Sequence, residues 1–476
     1  MEGVKTKGKL KLPARAGVWS VISGLVARGV GVVGTPIFTR LLTPAEYGLY
    51  PLYTTWLSVF SSIFVAGMTG SAIYRGLQKF SAKREEFISA ATGFGLLGCL
   101  AAFLLAIPLS GLFGEVTGLA PRLLFVILGE VALGAVIAFR SAHLRYEYKY
   151  RRLALTNLFV ALGTPVISVA VVMLTPLREE ARIIGSFTST LAVALPTLAA
   201  AIRRGSLYNR EIWRYLARVN LPLVPHYFSS SLILRASEMV IGRTHGQAAL
   251  AKYSVGISVG LALTFISNAL SQVTSPWIIR KVAEGKFDTV RELLTLALRA
   301  LLTLTLMLLA VAPEILAVIT TPEYADALPV VYPLSISVSA MFLSSAILSA
   351  EAYYERSLRS TLPTVVTAAV SIASAILILP AIDYRYSALF TLAAYLLLVV
   401  LSSAVFAKIS GQSVLNPVKC ILLFAFSVAY AAILFAFRGA LISRILLAIP
   451  LIPYLISVGK SAWNMIKEGK SQPSAP

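Results

Sequence analysis

Cysteine and histidine are nearly missing from this chain, with two and three copies in 476 residues, and aspartate occurs only at 288, 326 and 383. Cys99 and Cys420 both fall inside long apolar runs, and no disulfide framework can be argued from them. His143, His226 and His245 show no metal-ligand spacing among themselves or with the aspartates, so a membrane-embedded metalloenzyme is disfavoured. No nucleotide-binding loop is present, which leaves secondary transport or passive equilibration if the protein moves a solute. Charged residues are scarce as well, at 13%, against 57% hydrophobic residues and a mean hydropathy of +0.80. Apolar runs long enough to cross a hydrocarbon core recur from end to end, and no separate soluble domain is visible. Barrel strands would alternate apolar and polar residues over about ten positions, whereas these runs are continuous over roughly twenty.

The sequence therefore predicts an all-α polytopic membrane protein of about fourteen spans. They fall near 15–40, 48–74, 86–109, 120–143, 152–174, 180–203, 215–242, 250–278, 289–312, 327–350, 358–380, 383–406, 416–438 and 441–460. The basic N-terminus precedes a segment too long for a signal-peptide core, so the first helix is read as retained.

The net charge of +21 could suggest nucleic acid, but its distribution argues otherwise. With residues at span ends counted with the adjoining loop, one side holds 28 of the 42 Lys and Arg, the other holds 9, and five lie within spans. That asymmetry is the positive-inside rule, so nucleic-acid binding is unnecessary. Both termini and the loops near 79, 149, 210 and 286 are expected in the cytoplasm, with the chain in the plasma membrane. The segment RYEYKYRR at 145–152 is expected at headgroup depth as an interfacial anchor.

The chain also repeats itself. Arg40 and Tyr50 match Arg243 and Tyr253 at an offset of 203, and Glu147 and Arg151 match Glu355 and Arg359 at 208. Repeats of six helices have the same orientation, which predicts two parallel lobes related by an axis along the membrane normal. The expected organisation is an N-lobe over 1–209, a C-lobe over 210–410, and two further helices with a tail over 411–476, the basic segment 203–214 linking the lobes. Such a pair of bundles suits alternating access; a duplicated scaffold is the competing reading.

Polar stripes mark the lead helix of each repeat. Ser20, Gly24, Arg28, Gly31 and Thr35 run down the first span, and Tyr227, Ser231, Arg235, Glu238 and Gly242 repeat that spacing in the seventh. A charge at the bilayer centre costs roughly 2.5–3.5 kcal/mol even on a lenient scale, so such arginines usually face a polar cavity. Arg28 and Arg235 are accordingly candidate anion-binding residues, their guanidinium geometry suiting phosphate oxygens. Glu238 lies three residues from Arg235 on the same face, which leaves an internal ion pair as the alternative. Arg299, Asn268 and Gln272 are weaker substrate-binding candidates; interhelical hydrogen bonding is the competing role for the polar rows at 268–275 and 54–62. Glu130 and Glu238 are the acidic residues placed well within spans, and so the candidates for proton or sodium coupling. Gly24, Gly29, Gly31, Gly34 and Pro36 in the first span, with Pro222 and Pro225 in the seventh, are candidate bending points.

The run VARGVGVVGTPIFTRLLTPAEYGLYPLY, and in the second half VNLPLVPHYFSSSLILRASEMVIGRTHGQAALAKYSVGISVGLALTFISNALSQVTSPWIIRK, resemble the polysaccharide transporter family of lipid-linked oligosaccharide flippases. That family belongs to the multidrug, oligosaccharidyl-lipid and polysaccharide exporter superfamily. The resemblance implies V-shaped lobes that carry a polyprenyl-phosphate or pyrophosphate-linked sugar from the cytoplasmic to the outer leaflet, without an enzymatic step or cofactor. It also implies sugar-transfer and polymerisation machinery as partners. The alternatives are a cation-coupled small-molecule or drug antiporter of the same superfamily and a non-transporting scaffold.

Overall fold

A computed structural model describes residues 34–66, 71–147, 149–354 and 357–471. Among these the chain is helical throughout, with no strand. The helices are α1 (34–41), α2 (Pro44–Ser61), α3 (Ser71–Lys79), α4 (Arg84–Thr117), α5 (Pro121–Tyr146), α6 (Tyr150–Leu174) and α7 (Ala181–Arg204). Then follow α8 (Arg210–Asn220), α9 (Val224–Thr244), α10 (Gly246–Gly260), α11 (Thr264–Ala283), α12 (Phe287–Ile319) and α13 (Leu328–Glu351). The chain finishes with α14 (Ser357–Ile378), α15 (Ser387–Ser410), α16 (Pro417–Ala436), α17 (Leu441–Ala448) and α18 (Leu451–Ser471).

Local chemistry sets many of these boundaries. Thr43 caps α2 through a reciprocal box with Glu46, and Pro44 supplies the preset first-turn angle. α4 stops at Gly118, whose φ of 71° suits glycine, and α15 stops in the same way at Gly411. Asn416 caps α16, with Pro417 in its first turn.

Ten helical segments among the described residues are long and apolar enough to cross a membrane, and the bent pair α10 and α11 brings the number to eleven. These correspond to the third to sixth and eighth to fourteenth expected spans. The chain is thus a multi-pass membrane protein. The first expected span lies largely outside the described residues. The remaining spans depart from their expected bounds. The second ends as α2 followed by a π-helical turn at Ser62–Ala66, and α3 then starts at Ser71. The seventh begins at Val224 rather than 215, because α8 is an amphipathic helix with Ile212 and Leu216 buried and Arg210, Glu211 and Arg214 directed away from them, and Pro222 sits in the turn after it. The eighth is broken by a 45° bend between Gly260 and Thr264.

Two compact units divide the described chain: one comprises the residues up to Ser231 with Gly246–Ala251, the other Leu232–His245 with the residues from Lys252 onward. In the first unit, α6 packs along α7, and α5 packs against α2, α4 and α7. A Cβ on Gly185 would stand 2.1 Å from Ser168 Oγ, so only glycine lets α6 and α7 approach this closely. In the second unit α13 is central, touching α11, α12, α15 and α16. The apolar stretch around α13 is 83% buried, against 11% in α4 and in α6, whose leucines and valines such as Leu104, Leu105 and Val166 face outward. Outward apolar side chains of this density belong in lipid. α16, α17 and α18 all pack on α12, so the C-terminal helices are part of the second unit.

Candidate functional site

The first unit buries a carboxylate. Glu130 projects from α5 at 6% exposure and accepts a 2.6 Å hydrogen bond from the Tyr53 hydroxyl of α2 and another of 2.6 Å from Ser186 Oγ of α7. Each carboxylate oxygen thus has one neutral donor, and no ion pair to Glu130 occurs among the described residues. One turn before Ser186 on α7, the guanidinium of Arg182 lies over three rings, those of Phe38, Tyr47 and Tyr50, at 4.8, 4.6 and 4.1 Å. Its Nη1 is buried without a hydrogen-bond acceptor, so the aromatic faces supply the compensation.

The second unit buries a carboxylate differently. Glu238 on α9 is 2% exposed, and both its oxygens accept from Arg235 Nη1, at 2.8 and 2.9 Å. The arginine side chain is 26% exposed, against 2% for the glutamate. Tyr253 of α10 and Tyr395 of α15 are buried close enough to feel the charges of Glu238 and Arg235. The ion pair expected as the alternative for Arg235 is therefore formed.

The other expected positions separate. Arg28 lies outside the described residues. Asn268 and Gln272 are both exposed on α11 and come from the face opposite buried Ser267 and Thr274. Ser275, from the same polar row, accepts from Ser349 of α13 and so ties two helices. Arg299 on α12 is half-buried, and its Nε has no hydrogen-bond partner; Thr295 and Thr303 bond backbone carbonyls of their own helix instead of its guanidinium. In α2, Thr54 and Ser58 likewise donate to carbonyls three or four residues back, as does Ser62 just beyond it. Hydroxyls so engaged are committed to the helix backbone. No group of three His, Cys, Asp or Glu able to hold a metal ion occurs among the described residues.

Sequence reasoning missed Tyr53, Ser186 and Arg182, and an ion pair between the buried Arg444 of α17 and the partly exposed Glu314 of α12. Arg444 is 1% exposed; its Nη1 donates to Glu314 Oε2 at 2.8 Å, and its other contacts reach Glu314 Oε1 and the Ala310 carbonyl. The i, i+4 spacing of Arg182 and Ser186 was a usable signal. The partners from other helices had none.

These features describe a membrane-embedded helical protein in which, among the described residues, Glu130 of the first unit and Glu238 of the second are buried carboxylates on its helices. A profile of the polysaccharide biosynthesis protein family matches residues 14–282, more than half of the chain. The chain belongs to that family. The fold is similar to that of the lipid II flippase MurJ in an inward closed conformation, with a TM-score of 0.73 at 12% identity over 94% of this chain and 99% of that one. It is also similar to a transporter of the multidrug, oligosaccharidyl-lipid and polysaccharide exporter superfamily from Pyrococcus furiosus described as having a binding pocket of reversed polarity (TM-score 0.54, 14% identity, 90% and 99% coverage). An inward-facing multidrug transporter of the same superfamily matches with a TM-score of 0.57 at 14% identity over 86% and 96%. No curated protein matches the sequence.

Proposed function

We propose that the protein is a flippase that moves a polyprenyl-phosphate or pyrophosphate-linked oligosaccharide from the cytoplasmic to the outer leaflet by alternating access, without chemical conversion. The observation that carries this reading is the intramembrane arginine Arg235, held in place by Glu238 with its side chain still a quarter exposed. A fixed cation in a low-dielectric setting suits an anionic phosphate linker, whereas a carrier of organic cations would favour acidic and aromatic linings. Membership in a polysaccharide biosynthesis family supports a glycan-bearing substrate, and the likeness of fold to a lipid II flippase supports a lipid-linked one. Arg28 joins Arg235 in this proposal, with Arg299, Asn268 and Gln272 as further contacts. The lobes are assigned to 1–209 and 210–410, with 411–476 appended, and both termini to the cytoplasm.

Coupling follows from the same pair. A substrate phosphate that competes for Arg235 frees Glu238 to take a proton or sodium ion, so outward movement of substrate is linked to inward movement of the ion. Glu130 is the second candidate.

The test is arrival of labelled lipid-linked sugar in the outer leaflet of reconstituted vesicles. Arg28→Ala and Arg235→Ala should abolish it, and the Lys variants should retain more activity than the Gln variants, though not full activity. Equal activity in the Lys, Gln and Ala variants removes the anion site. Glu238→Gln should weaken the dependence on the ion gradient; unchanged dependence moves the coupling role to Glu130. Cysteines near 79, 149, 210 and 286 should resist an impermeant thiol reagent in sealed cells while one near 323 labels, and the reverse pattern overturns the direction of transport.

A further inference from the structure

The second unit carries a groove of about 550 Å³ between α13, α15 and α16. Leu389 and Val428 line it and are 50% and 44% exposed on helices apolar enough to span the bilayer, so it opens sideways toward lipid. Its polar mouth is formed by Asp326, Arg385 and Arg438, which lie before α13, before α15 and just beyond α16. All three lie on the side that holds only 9 of the 42 basic residues, so the general charge bias of the chain does not account for two arginines there.

The charges at this mouth are arranged unequally. Asp383 anchors Arg385 through contacts of 2.9 and 2.5 Å, and Asp326 lies between Lys252 at 3.0 Å and Arg385 at 3.5 Å. Arg438 has no carboxylate partner among the described residues: it stacks 4.9 Å from the Phe435 ring and reaches the Phe435 carbonyl only at 3.5 Å. Three cations therefore face two carboxylates, leaving one uncompensated positive charge at the entrance to an apolar groove. We propose that this groove binds a membrane phospholipid with one net negative charge, its phosphate on Arg438 and an acyl chain along Leu389, Val428 and Ala432. A ligand that enters from the bilayer must be apolar over most of its length, and the uncompensated guanidinium selects an anionic head. Asp326 disfavours a second negative charge at the same mouth, which selects a phosphodiester over a pyrophosphate. The site lies within the second unit and does not depend on the flippase reading.

The test is native mass spectrometry of the full chain titrated with phosphatidylglycerol or with phosphatidylcholine of the same acyl composition. Retention of phosphatidylglycerol should be about tenfold tighter. Arg438→Gln should bring it to the phosphatidylcholine level, and Ala432→Trp, which fills the groove, should remove retention of both. Arg122→Gln, at an exposed arginine of the first unit, should leave retention unchanged. Equal retention of the two lipids by the wild type, wild-type retention in Arg438→Gln and Ala432→Trp, or an equal loss in Arg122→Gln overturns the site. So does displacement of phosphatidylglycerol by an equimolar polyprenyl diphosphate, which would assign the groove to that lipid instead.

Discussion

Glu130 and Glu238 are both buried carboxylates on membrane helices, yet they are stabilised in opposite ways. Glu130 rests on two neutral hydroxyls donated by other helices, whereas Glu238 rests on a cation three residues away on its own helix. The first arrangement ties α2, α5 and α7 together, whereas the Arg235–Glu238 pair joins two residues of one helix.

The strongest way to break the contrast is to strip each carboxylate of its partner. Arg235→Ala removes the guanidinium that both oxygens of the buried Glu238 carboxylate bond, with an expected loss of about 3–5 kcal/mol of stability. Glu238→Ala should cost less, because the arginine is a quarter exposed and can recruit water. Thermal unfolding in detergent measures both, and a cost for Glu238→Ala equal to or above that for Arg235→Ala contradicts the asymmetry.

Tyr53→Phe removes one neutral donor from Glu130 and should cost about 1–3 kcal/mol, the usual penalty for an unsatisfied buried acceptor. Because that bond joins α2 to α5, the Tyr53→Phe and Glu130→Gln changes should be non-additive in a double-mutant cycle. Additive effects would mean that the hydroxyl and the carboxylate do not act as a pair.

The missed pair Arg444 and Glu314 sharpens the comparison, because it joins two helices, as the Glu130 bonds do, but with opposite charges, as in Glu238. Glu314→Gln should destabilise the attachment of α17 to α12 by about 1–3 kcal/mol, since Arg444 keeps the Ala310 carbonyl. Faster proteolysis or hydrogen exchange confined to residues 441–461 would report it, and uniform loosening of the whole chain would contradict it.

The smallest effect lies outside the membrane. Glu284, in the turn between α11 and α12, accepts from Lys281 and Lys286, and these hydrogen bonds hold its carboxyl below the ordinary value of 4.5. A depressed carboxylate contributes stability that is present above the unfolded value and lost as the pH falls through the folded one. The difference in unfolding midpoint between the wild type and Lys281→Ala should therefore be present at neutral pH and vanish well below pH 4.5. A difference that persists in acid would mean that Lys281 acts through packing alone.

How much of this was readable beforehand depends on sequence separation. Arg235 and Glu238 stand three apart, so helical periodicity alone put them on one face, and their ion pair formed. Tyr53 and Ser186 are 77 and 56 residues from Glu130, and Arg444 is 130 from Glu314; no period connects them. The hydroxyl rows were legible as polar, but their commitment to nearby carbonyls was not, since Ser58 can bond the helix or a neighbour with equal ease.

The sequence by itself determined the helical membrane class and most of the spans. Those follow from the cost of burying backbone polar groups and charges in hydrocarbon, which acts on each segment separately. Only the tertiary structure decided that α8 lies apart from the span it precedes, that the eighth span bends, and which helices satisfy Glu130 and Arg444. Those outcomes depend on packing between segments distant in the chain. Inside a bilayer, lipid and protein are similarly apolar, so the hydrophobic pattern that places a helix in the membrane leaves its neighbours unspecified.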